Sequence, residues 1–95
     1  MAEFLLLMHD DTVRALQGWD EYFAMLRARG VFDGGSSIGA GVTLRKEGDP
    51  APLSPGIAGY IRVRAADLAA AQALVAGNPV HEAGGTIEIR ALPRD

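Results

Sequence analysis

The sequence predicts an α+β sandwich in which helices cover one face of a four-stranded antiparallel sheet. Three observations predict it. Strand-like and helix-like stretches follow the order strand, helix, strand, strand, helix, strand. The first stretch, "EFLLLMH", is a nearly continuous apolar run, as expected of a central strand covered on both faces. The stretch "GYIRVR" alternates with period two, with Ile61 and Val63 on one side and Tyr60, Arg62 and Arg64 on the other.

Taken in order, Glu3 to His9 form the first strand, and Asp10, Asp11 and Thr12 supply turn and helix-capping chemistry. From Val13 to Arg29 the period lengthens. Leu16, Trp19, Phe23 and Leu26 recur at three- and four-residue intervals, the apolar stripe of a helix. Gly18 weakens that helix, so its ordered start is expected as late as Gly18. The second strand runs through "VFDGGSSIGAGVTLRK", with a bulge or kink near Gly34–Gly35 or Gly39–Gly41. Its second half, Val42 to Lys46, alternates, with Val42 and Leu44 expected inward and Thr43 and Arg45 outward. "EGDPAPLSPG" is a turn by composition, and "IAGYIRVRA" is the third strand. Asp67 caps a second helix over Leu68 to Ala76, with Leu68, Ala71 and Val75 inward and "GNP" ending it. "TIEIRAL" is the last strand. This order fits a ferredoxin-like βαββαβ sandwich, and the right-handed crossover rule selects it over its mirror image.

The 95 residues make one domain, 1–95, small enough to gain stability from pairing with a copy of itself. A net charge of −3 argues against a nucleic-acid partner. Without cysteine there is neither a disulfide framework nor a thiol nucleophile. No apolar run is long enough to span a membrane, and "FLLLM" lacks the length and basic flank of a signal peptide. The expectation is a cytoplasmic protein beginning near Met1, with no membrane association.

Helices on one side leave the other sheet face without cover. Alternation assigns it Glu3, Leu5, Leu7 and His9 from the first strand, Tyr60, Arg62 and Arg64 from the third, and Thr86, Glu88 and Arg90 from the last. A solvated face does not favour two leucines in its central strand, and a dry interface does not favour several arginines. A two-fold dimer, sheet against sheet around a polar cavity, accommodates both. In that cavity Tyr60, Arg62, Arg64 and Arg90 are candidates to bind an anionic ligand, since guanidinium forks match carboxylates; the alternative is that they pair across strands with Glu88 and Glu3 and form dimer salt bridges. His9, beside Asp10 and Asp11, is the candidate general base. Ser36 and Ser37 are hydrogen-bond donors to the cavity. His81 is a surface-loop histidine. No HxH, HxxxH or HExxH spacing occurs, so no metal site is expected, and no cofactor. "GGSSIGAG" lacks the Lys-Ser/Thr ending of a phosphate loop.

The stretches "FLLLMHDD", "WDEYFAMLRARGVFDGG", "AGYIRVRAADLAAAQALVAGNPV" and "HEAGGTIEIRALP" together resemble the YCII-related, or DGPF-domain, family over nearly the whole chain. The resemblance implies a dimeric α/β barrel of ferredoxin-like protomers. Some members look like small-molecule lyases with a His–Asp pair in the barrel cleft. Here the position of that histidine falls near Tyr22, which the resemblance therefore makes a candidate at the edge of the ligand cleft; "SSIGAG" stands where the acid is usual, and "LSPGIAGY" replaces the DGPF signature, so the pair is not carried over. The expected function is a small-molecule-binding homodimer, extending to cofactor-free acid–base chemistry of a lyase or isomerase kind. The alternative is a non-catalytic dimerisation or regulatory module.

Overall fold

The computed structural model describes residues 1–94. Its elements are β1 (Ala2–His9), α1 (Trp19–Ala28), β2 (Phe32–Ser37), β3 (Ile57–Ala65), α2 (Leu68–Ala73), α3 (Pro79–Glu82) and β4 (Ile87–Leu92). The strands form one antiparallel sheet in the order β2-β3-β1-β4. This α+β arrangement is compatible with a ferredoxin-like fold. β1 is central because its neighbours on both sides, Val63 and Ala91 opposite Phe4 and Ile61 and Ile89 opposite Leu6, are apolar.

The core lies between this sheet and the helices. Phe4, Leu6 and Met8 point into it from β1, Ile61 and Val63 from β3, and Tyr22 and Leu26 from α1. Ala71, Leu74, Val75 and Val80 close it from the second helical segment. Period-two burial along β1 and β3 is the physical signature of a sheet with one dry face, as the alternation predicts. Trp19, Phe23 and Phe32 extend the core as an aromatic wall. Trp19 and Phe23 stack at 5.4 Å, and Phe23 meets Phe32 at 5.3 Å. The Arg27 guanidinium lies over the Phe32 ring at 5.2 Å, tying α1 to β2.

α1 starts late, with Gly18 as its N-cap, and Leu16 is left exposed at the helix entrance. β2 carries the expected bulge: Phe32 pairs with Val63 but Gly35 pairs with Ile61, so one residue is extra. Gly34 takes it up at φ 97°, where a side chain would be strained. Gly35 is needed for a different reason, since a Cβ there would lie 2.5 Å from the Tyr60 carbonyl oxygen.

Two expectations fail. Val42 to Lys46 is not strand. Val42 and Leu44, expected inward, are 81% and 92% exposed. The ladder partner runs out first: Ile38 still donates to Ala58, but β3 begins at Ile57, just after Pro55 and Gly56. Residues 38–56 therefore leave the sheet as a finger. The second helix is also split. α2 ends at Ala73, and "GNP" does not stop a helix but starts another. The Asn78 side chain accepts from the Val80 and His81 amides at 2.9 and 3.3 Å, with Pro79 in the first turn, where its missing N–H is harmless. Leu68, expected inward, is exposed, and Leu74 takes its place. Asp67 caps α2 as expected, accepting from the Ala70 amide at 2.8 Å.

Candidate functional site

Registers fix which side chains share the open sheet face. Leu5 of β1 stands between Arg62 of β3 and Arg90 of β4, and Leu7 between Tyr60 and Glu88. Glu3 stands opposite Arg64 and Leu92, and Ser36 of β2 opposite Tyr60. Leu5 and Leu7 are half-buried by these longer neighbours rather than by any covering layer. A shallow hollow of about 480 Å³ lies here, bordered by Leu5, Leu7, Ile38, Tyr60, Arg62 and Pro93.

The charges on this face are paired within the chain. The Arg62 guanidinium reaches Glu3 at 3.5 Å. Arg64 donates to the Gly30 carbonyl at 2.9 Å, and its Nε sits 3.0 Å from Asp33 Oδ2 without an aligned hydrogen bond. Arg90 donates to Glu88 at 3.2 Å. His9 Nε2 lies 3.2 Å from the other Glu88 oxygen. The His9 contact first, and Arg90 second, hold the Glu88 carboxyl below its ordinary value. Pairs this exposed are weak and exchange readily for a ligand carboxylate. His9 with its carboxylate partner can orient one imidazole nitrogen and leave the other free for proton transfer.

Of the sequence-predicted residues, the sheet gathers His9, Ser36, Tyr60, Arg62, Arg64 and Arg90 on one face. Ser37 pairs with Gly59 and belongs to the opposite, helix side. Tyr22 is a correction. It is 2% exposed, and its hydroxyl donates to the Leu74 carbonyl at 2.8 Å, so it joins α1 to α2 on the helix side, where it borders a hollow with Gly18, Met25 and Gly77, and not on the open sheet face. Burial raises its pKa. His81 is exposed beside Glu82. Among the described residues no group of three or more His, Asp or Glu could hold a metal ion.

A second hollow lies across the sheet, on the helix side, and sequence reasoning did not single it out. It measures about 460 Å³ and is walled by Met8, Leu16, Trp19, Phe23, Ser37 and Val80, floored by Gly35 and Gly59. No charged residue lines it, so it suits uncharged, apolar molecules. The late start of α1 creates it: residues 13–18 are not helical and leave the Trp19–Phe23 end of the helix open. The signal available in the sequence was the Gly18 break and two glycines at helix-side positions of β2 and β3.

Asp11 anchors the same end of the molecule. Its carboxylate accepts from the Thr86 hydroxyl at 2.6 Å and the Thr86 amide at 2.8 Å, pinning the β1–α1 connection to the start of β4. Those two hydrogen bonds lower its pKa.

No family model, curated protein or solved structure matches the chain. The resemblance to the YCII-related family thus stands on the quoted stretches alone. Among the described residues no helix is long and apolar enough to cross a membrane.

Proposed function

We propose that the protein is a homodimer, joined through the open sheet face, that binds a small organic acid between the two sheets. One observation carries this reading: a central strand whose outward Leu5 and Leu7 are framed by Tyr60, Arg62 and Arg90 rather than covered by helices. Across a two-fold axis the leucine strips bury one another, and the guanidinium and phenol groups at their borders face the enclosed space. Arg62, held by a single 3.5 Å contact to Glu3, is the group most readily exchanged to a ligand carboxylate. His9, poised on Glu88, supplies the acid–base group of a cofactor-free lyase or isomerase reaction. Membership of the YCII-related family is part of the same proposal, and the quoted stretches support it.

A second reading, a dimerisation or regulatory module without a ligand, is favoured by the internal pairing of Arg62, Arg64, Arg90 and Glu88. Sedimentation velocity from micromolar concentration upward, with thermal-shift titration of small aromatic carboxylates, separates the two. A dimer stabilised by a carboxylate, with the response lost in Arg62→Ala, supports the first reading. A dimer that no carboxylate stabilises supports the second. A strict monomer at all concentrations removes both.

A further inference from the structure

The finger, residues 38–56, is built unlike the rest of the molecule. Among the described residues no backbone–backbone hydrogen bond involves residues 39–53, although Asp10 and Ala58 close the finger's base through Gly56 and Ile38. Its outgoing limb, "VTLR", has the alternation of a strand, with Val42 and Leu44 on one side at 81% and 92% exposure. Its returning limb carries Pro50, Pro52 and Pro55, which have no N–H to give a ladder. The outgoing limb thus has strand chemistry but, among the described residues, joins no strand ladder. The consequence shows in the shape. The radius of gyration is 14.7 Å, against about 12 Å for a compact chain of this length.

An exposed, unpaired, apolar segment of this kind is a hazard unless something covers it. We infer that the finger clasps a second copy of this chain, with Val42 and Leu44 packed against the rim of the partner's open sheet face. This deepens the dimer proposed above and rests on it. Two considerations select a second copy as the occupant. First, Ile38 at the finger's root lines the same hollow as Leu5, Leu7 and Tyr60, so finger and sheet face form one continuous surface. Second, the sheet face alone is too small. Four strands spaced about 4.8 Å apart and about seven residues long offer a footprint of roughly 450 Å². A stable pair buries roughly 800 Å² on each partner. The finger supplies the missing area, and two-fold symmetry supplies it twice.

The test is sedimentation equilibrium on wild type, Val42→Asp with Leu44→Asp, and Leu7→Lys. All three substituted side chains are outside the core, and circular dichroism with thermal melting checks each fold. The finger variant is expected to raise the dimer dissociation constant by about 100-fold or more, as loss of two buried apolar anchors does. Hydrogen exchange at low and high protein concentration gives an independent readout, with amides of residues 41–45 protected only in the dimer. A finger variant that dimerises like wild type, with residues 41–45 unprotected, overturns the clasp. If Leu7→Lys alone abolishes the dimer, the sheet-face reading survives that result. If instead the finger variant is monomeric while Leu7→Lys still dimerises, the finger makes the dimer elsewhere, and both the sheet-face reading and a clasp on its rim fall. A monomeric wild type overturns both.

Discussion

Replacing Tyr22 with Phe decides between a ligand-facing tyrosine and a structural one. The hydroxyl donates at 2.8 Å to the carbonyl of Leu74, the C-cap of α2, a position whose carbonyl has no helical partner of its own. Removing it leaves that carbonyl unsatisfied inside the core, beside a ring that is 2% exposed. A buried acceptor stripped of its donor costs about 1–2 kcal/mol, while the ring's packing is unchanged. For a domain of this size each kcal/mol shifts the melting temperature by about 4–8 °C, so Tyr22→Phe is expected to melt roughly 5–15 °C lower. Urea titration should show an earlier midpoint at constant slope.

The pH dependence supplies a second readout with a defined sign. Burial raises the Tyr22 pKa above its ordinary 10.0 in the folded state. Below pH 10.0 both states are neutral and the hydroxyl's contribution is complete. As pH rises from there through the folded pKa, the unfolded chain ionises first, and that contribution is lost at up to about 1.4 kcal/mol per pH unit. Tyr22→Phe lacks this component and should be flatter than wild type as pH rises above 10.0. A variant that melts within about 1 °C of wild type with the same alkaline slope, yet loses ligand binding, would refute the structural assignment of Tyr22.

Two further predictions follow from buried or bridging polar groups. Asn78→Ala removes the cap of α3 at a fully buried site and should cost about 1–3 kcal/mol, read as an earlier urea midpoint. Asp11 has a lowered pKa, so its contribution is present above its ordinary 3.8 and is lost as pH falls through the folded value. Asp11→Asn should therefore melt lower than wild type at neutral pH but lose less on acidification. An equal acid response in both proteins would show that the Thr86 contacts carry no charge-dependent energy.

What could be read from the sequence divides along physical lines. β1 and β3 were legible because each has one dry face, and a one-residue slip would turn Phe4, Leu6, Ile61 and Val63 to the other side. The open-face set of His9, Tyr60, Arg62, Arg64 and Arg90 followed from the same alternation. The late start of α1 followed from Gly18, and the cap of α2 from Asp67. Val42 to Lys46 misled because alternation reports a residue's fitness for a strand, not whether a neighbour exists to pair with it. Tyr22 misled in a related way. On α1 it shares the inward arc with Leu26, but its place where the resembled family carries a histidine suggested a cleft, and only the position of the α2 C-terminus shows where its hydroxyl is satisfied. Asn78 was unremarkable in "GNP", since one spelling serves both a helix stop and a helix start. Which one applies depends on whether Val80 has a core to enter, and here Met8 and Val75 are part of it.

These misreadings also explain how the two hollows come to differ in chemistry. Both sides of the sheet take their composition from β1 and β3, where outward positions hold Tyr60 and Arg62 and inward ones hold Gly59 and Ile61. A charge on the helix side would have to be buried beside Trp19 and Phe23 without a partner, which is costly. A charge on the open side needs only an exposed partner: Arg62 and Arg64 find theirs on neighbouring strands, and Arg90 finds Glu88 on its own. The same alternation that drives folding therefore separates an uncharged hollow from a charged one across a single sheet. Moving Arg62 of β3 by a single position would place it against Leu6 or Phe4 and lose the fold before it altered the site.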